Sequence, residues 1–135
     1  MFKVLFAFIL VGSIQSQAVL IKKIPAEIIG AAYVDMNGLK TIAVNTKYQG
    51  GCGPEKATLN VKKCVSIGEK TYSCVSDLAI SSVVNQSCIS KSVEKVFTIT
   101  QAQIKNESLM SEKYKDSTLV IRGKSKEVEI KLGKM

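Results

Sequence analysis

The chain has 135 residues, 46% of them hydrophobic and 6% aromatic, with a formal net charge of +8 at pH 7, four cysteines and no histidine. Without histidine the commonest general base is gone, and with it every Ser–His or Cys–His nucleophile pair. The composition therefore argues against an enzyme, and no cofactor is expected.

The chain opens on a leader. Met1-Phe2-Lys3 is positive, Val4 to Val11 is an unbroken apolar run, and Gly12 to Ala18 is small and polar, ending Ser16-Gln17-Ala18. These are the three regions of a secretory signal peptide over residues 1–18. The apolar run is too short to span a bilayer, which needs about 20 residues, and no later segment is longer. Residues 19–135 are then expected to be one secreted or periplasmic domain.

The clearest local signal of the expected domain comes early in it. Asn37-Gly38 supplies the positive φ angles of a two-residue type I′ hairpin turn between Ile28–Met36 and Leu39–Tyr48. That turn pairs Met36 with Leu39, Asp35 with Lys40 and Tyr33 with Ile42. One face then carries Ile29, Ala31, Tyr33, Ile42, Val44 and Tyr48. Asp35 opposite Lys40 is a favourable cross-strand pair, so turn chemistry and charge select the same register.

Lys47 to Lys56 reads KYQGGCGPEK. Gly50, Gly51, Gly53 and Pro54 end the strand and reverse the chain around Cys52. Ala57 to Ile67 alternates, with Leu59, Val61, Val65 and Ile67 on one side. Gly68-Glu69-Lys70 forms a turn, and Thr71 to Ile80 returns. A three-residue loop sets Val65 opposite Ser73 and Cys64 opposite Cys74, within reach of a cross-strand bridge.

The cysteines are Cys52, Cys64, Cys74 and Cys88, separated by eleven, nine and thirteen residues. An even number behind an export signal reads as two disulfides, and the spacing gives no metal motif. Four cysteines allow three connectivities. The nested one, Cys52–Cys88 with Cys64–Cys74, is favoured, with Cys52–Cys64 and Cys74–Cys88 close behind. A Cys52–Cys88 bond would close a long loop worth roughly 3–4 kcal/mol in the chain-entropy account.

Ser81 to Ser92 is serine-rich and reads as loop with some extended structure. Asn85-Gln86-Ser87 and Asn106-Glu107-Ser108 match the glycosylation sequon. Val93 to Ile99 is a strand with Val93, Phe97 and Ile99 inward. Gln101 to Asp116 allows at most a short helix near 106–114. Thr118–Arg122 and Glu127–Leu132 form a second hairpin around Lys124-Ser125. It places Leu119, Ile121, Val128, Ile130 and Leu132 on one face and Arg122 opposite Glu127. The sum is all-β: an antiparallel sandwich or partly open barrel of six to eight short strands in a meander.

Only Arg122 is an arginine; the other basic residues are lysines spread along the chain. Lysine is a hydrated point charge without the fork that reads phosphates or bases, so nucleic acid is not an expected partner. The charge suits a protein or an anionic envelope or polysaccharide surface. Oligomeric state leaves no mark in the sequence. Glu127 and Glu129 share a strand face and could form a carboxylate pair, but that face reads as solvated. Tyr72 reads as a core or rim tyrosine.

Tyr48-Gln49-Gly50-Gly51-Cys52-Gly53, followed by three spaced cysteines, resembles a group of small exported bacterial proteins and lipoproteins without an assigned activity. The likeness covers Lys47 to Cys88. It implies export, disulfides and β structure and brings no catalytic residues. Two functions compete. The first is a non-catalytic binding or structural domain at the cell envelope or outside the cell. The alternative is a secreted inhibitor of a hydrolase, a protease before a lysozyme, acting through a rigid loop of Tyr48, Gly50, Gly51, Gly53, Pro54 and Lys56.

Overall fold

The computed structural model describes residues 19–85 and 89–133. The expected leader at 1–18, Cys88 and the end of the first sequon lie outside them. The strands are β1 (Val19–Ile24), β2 (Ala26–Met36), β3 (Leu39–Gly50), β4 (Glu55–Gly68), β5 (Thr71–Asn85), β6 (Lys91–Ile99), β7 (Ile104–Lys105), β8 (Thr118–Arg122) and β9 (Glu127–Lys131).

β2 and β3 form the expected hairpin. Asn37 and Gly38 have φ of 54° and 86°, Met36 faces Leu39, and Asp35 faces Lys40. Tyr33, Ile42, Val44 and Tyr48 are buried as expected, but Ile29 is 50% exposed and Ile28 takes its place in the core. The register shifts between Ile28 and Gly30. One extra residue in the strand reverses which neighbours point inward, and Ile29 is that residue. β6 pairs antiparallel with β3 and completes a three-stranded sheet in the order β2-β3-β6. Phe97 and Ile99 face its buried side.

β4 and β5 are the centre of the second sheet. Cys64 stands opposite Cys74 and Val65 opposite Ser73, as the sequence suggested. The Cys64–Cys74 disulfide is formed. Val65 and Ile67, expected on the side of Leu59 and Val61, are exposed. A shift between Val61 and Lys63 is the reason. Lys62 is the residue left out of the ladder, and the inward side passes from Val61 to Cys64.

β5 runs on to Asn85, through serines that the sequence placed in a loop. It is flanked on both sides there: β4 pairs with it through Glu55↔Ser82 and β1 through Lys22↔Ser82. Backbone pairing from two neighbours outweighs the weak strand preference of serine. Ser82 is buried, and its hydroxyl is the one buried side-chain polar atom among the described residues with no hydrogen-bond partner. An unsatisfied buried hydroxyl costs about 1–3 kcal/mol. Ser82→Ala is therefore expected to raise stability by about 1 kcal/mol, read as a higher urea midpoint at constant m.

The path of the second sheet is β7-β4-β5-β8-β9, with β1 added on β5. This corrects the expected meander of six to eight antiparallel strands: there are nine among the described residues. β8 runs parallel to β5, placing Leu119 beside Cys74, and β7 runs parallel to β4. A parallel neighbour requires a long crossover. The chain makes it by leaving β5 for β6 in the other sheet and returning first as β7 beside β4 and then as β8 beside β5. The β8–β9 hairpin has the expected register, Arg122 opposite Glu127, closed by a 2.8 Å bond from Gly123 N–H to Lys126 O. The two sheets enclose one apolar cluster that includes Ile28, Ile42, Val44, Leu59, Ile80, Ile99, Leu119 and Ile121.

Two single 3-10 turns, Gln101–Gln103 and Glu112–Tyr114, interrupt the connection to β8. The second falls where a short helix was expected. The sequon residue Asn106 is exposed and spends its side-chain amide on Asn60 Oδ1 and Val61 O. Tyr114 is buried; its ring meets Tyr72 edge-on at 5.3 Å and its hydroxyl donates to Glu107. Burial first, then that hydrogen bond and the Glu107 charge, push the Tyr114 hydroxyl up to about 12 from the usual value of about 10. The folded state thus holds this proton more tightly than the unfolded state does. Its contribution is complete below about pH 10 and is lost as pH rises toward 12. Chemical unfolding from about pH 9 to about pH 12 is expected to show stability falling over that window, with a shallower fall in Tyr114→Phe.

Candidate functional site

The loop between β3 and β4 is tied down from within. Tyr48 is buried, with its ring 6.0 Å from that of Phe97, and its hydroxyl donates to Glu55 Oε1 at 2.6 Å. The other Glu55 oxygen accepts the Gly51 N–H at 2.8 Å. One carboxylate therefore closes the loop at both ends. Burial, this hydrogen bond and the Glu55 charge, in that order, raise the Tyr48 hydroxyl well above its usual range. Across the loop, Val83 N–H donates to Pro54 O at 3.3 Å.

Two of the glycines have definite duties. Gly51 has φ of +88°, which side chains rarely adopt. A Cβ on Gly53 would lie 2.0 Å from Val83 O, so only glycine lets the loop approach β5 this closely. Cys52 is disulfide-bonded and not a free thiol. Its expected partner Cys88 lies outside the described residues. Of the residues proposed for a binding loop, Tyr48 and Gly50 are buried, Gly53 is half-buried, and Gly51, Pro54 and Lys56 are exposed.

Tyr48 also reaches one wall of a cleft of about 380 Å³ at this end of the molecule. Five separate elements build it, the fifth being β6 with Ser92. β1 brings Lys22 and Ile24, the β1–β2 junction and β2 bring Pro25 and Glu27, β3 brings Lys47 and Gln49, and the β8–β9 turn brings Lys124. Ser90 and Ser92 close the remaining side.

The position of Lys124 follows from how its turn docks on the other sheet. Lys124 N–H donates to Ala26 O at 2.7 Å. Next to it, Ser125 Oγ lies 2.5 and 2.8 Å from the two oxygens of Glu27 and donates to that carboxylate. Glu27 in turn stands opposite Lys47 across the β2–β3 pair. Three cations and one anion thus share an opening whose wall contains Ile24 and Pro25. Such a lining attracts anions while leaving one acceptor for donors.

The other side chains singled out in the sequence lie elsewhere. Glu127 and Glu129 are both exposed on β9. Arg122 stands opposite Glu127 in the β8–β9 ladder and donates from Nε to Asp77 Oδ1 at 2.7 Å. Tyr72 is a rim residue, half-buried, with Lys113 Nζ 5.4 Å from its ring centre. No cluster of three or more His, Cys, Asp or Glu able to hold a metal occurs among the described residues.

Sequence reasoning reached this region only through Tyr48. Lys22 and Glu27, Lys47, and Lys124 come from three separate stretches of the chain and share no motif. The overall excess of lysine was the only sign of them. No helix of the described residues is long and apolar enough to cross a membrane. Comparison with protein-family models, with curated proteins and with solved structures finds no match to this chain.

Proposed function

We propose that this chain is a non-catalytic, exported binding domain that engages an anionic polymer at the cell envelope or outside the cell. The observation that carries this reading is the convergence of Lys22, Lys47 and Lys124, from three separate elements, on one cleft. The Cys64–Cys74 bond supports it, because disulfides persist in oxidising compartments. So does the lysine-rich charge of the chain, which adds a long-range, salt-sensitive attraction.

The test is binding of fluorescent polygalacturonate and of polyphosphate to the mature chain, by anisotropy. Exposed ion pairs are worth about 0.2–1 kcal/mol each. Each of Lys22→Ala, Lys47→Ala and Lys124→Ala is therefore expected to weaken binding about threefold, and the triple variant about thirtyfold, at about 50 mM salt. Binding of the parent should fall as salt rises. Retention of full affinity in the triple variant, or absence of binding to either polymer, would sink the reading.

A second reading rests on a different observation. The Glu55 clasp on Tyr48 and Gly51 makes the β3–β4 loop rigid, and a rigid loop loses little entropy when it docks. This supports a secreted hydrolase inhibitor, a protease before a lysozyme, that presents Pro54 and Lys56. Inhibition across a protease panel that disappears when residues 50–56 are scrambled would favour it. A panel showing no inhibition would remove it.

A further inference from the structure

We infer that the cleft is built for an acidic sugar, a ring that carries one carboxylate and several hydroxyls, within that anionic polymer. This rests on the binding reading above and narrows it from any polyanion to one chemistry. A polyphosphate and a polyuronate would both be drawn to three lysines. The rest of the lining separates them.

Glu27 is the discriminating residue. It lies among the lysines and lines the same opening. A carboxylate is acceptor-only, with about four lone-pair sites on its two oxygens. Within the protein, Ser125 Oγ donates to it, and the remaining sites call for further donors. A sugar offers hydroxyl donors. An ionised polyphosphate chain offers none, and its dense negative charge would meet Glu27 as a like charge. A uronate has a single charge per ring and can set its carboxylate toward Lys22, Lys47 or Lys124 while its hydroxyls turn to Glu27.

Three further features agree. Phosphate recognition favours the bidentate guanidinium, yet the sole arginine, Arg122, is committed to Asp77. Gln49, Ser90 and Ser92 add neutral groups that both donate and accept, as sugar hydroxyls do. Pro25 and Ile24 form an apolar wall against which the C–H face of a ring can lie. The cleft volume of about 380 Å³ is at the small end of the range of about 300–1,000 Å³ for ligand sites. It suits one or two rings of a chain that continues out along the surface.

The experiment compares three probes by titration calorimetry: an oligogalacturonate, its fully methyl-esterified form, and a linear polyphosphate matched to it in charge. The expected result is oligogalacturonate about tenfold tighter than polyphosphate, with the ester much weaker than the acid. Glu27→Gln is expected to move the two anions in opposite directions. It should weaken oligogalacturonate severalfold, because a good acceptor of sugar hydroxyls is lost. It should strengthen polyphosphate, because a repelling charge is removed. The glutamine amide keeps a carbonyl acceptor for Ser125, and the thermal midpoint of the variant reports whether the turn still docks.

Polyphosphate binding as tightly as the uronate, or Glu27→Gln shifting both in the same direction, overturns the sugar inference and leaves the polyanion reading standing. Failure of both anions overturns both. An ester that binds as well as the acid refutes the role of the lysines.

Discussion

Replacing Cys64 and Cys74 together by alanine is expected to lower the unfolding free energy by about 2–3 kcal/mol. The two residues are 10 apart and directly opposed across β4 and β5. A bond over so short a loop removes about this much entropy from the unfolded chain. Cys74 is also fully buried, so the substitution gives up packing as well as the crosslink. For a domain of this size the loss corresponds to a fall of about 10 °C in thermal midpoint. The double variant is the right comparison, since a reducing agent would act on Cys52 too. Urea unfolding should show a lower midpoint at nearly unchanged m. A change under about 0.5 kcal/mol would mean the bond adds nothing to stability.

Leu59→Ala should cost still more, about 3–4 kcal/mol. Leu59 is fully buried on β4, between Leu78 of β5 and Ile104 of β7. Its removal leaves a cavity that the two flanking strands cannot close without breaking their pairing. The informative control is Val65→Ala on the same strand. Simple alternation puts Val65 on the side of Leu59, whereas the bulge at Lys62 turns it 41% toward solvent. Val65→Ala should therefore cost under about 1 kcal/mol. Comparable losses at both positions would show that the strand keeps strict alternation and that the bulge is absent.

The same contrast marks where sequence reasoning succeeds. Both hairpins could be read residue by residue. Asn37-Gly38 demands one turn type, and the Asp35–Lys40 pair agrees with it; at the C-terminus, alternation on both sides of Gly123–Lys126 leaves one register. Cys64 opposite Cys74 followed from a three-residue loop at Gly68-Glu69-Lys70; the structure instead pairs Gly68 with Thr71 across a two-residue turn, and the bulge at Ile67 shifts the ladder by one residue and restores the same pairing. The departures at Ile29, Val65 and Ile67 have one cause. A bulge adds a single residue with no compositional mark, and everything beyond it changes sides.

What the sequence settled by itself was therefore local. The strand character, the two tight turns, the opposed pair Cys64 and Cys74, and the basic balance all depend on neighbours within a few residues or on composition alone. Tertiary structure decided the rest. It made β5 a strand through Asn85 by giving it β1 and β4 as partners, and it laid β8 parallel beside Cys74. It also docked the Lys124 turn on Ala26, beside Glu27 and Lys47. The physical reason is that pairing partners and packed turns are chosen by contacts between distant segments. Those contacts exist only once the two sheets have closed on a shared core, and the cleft exists only as their product.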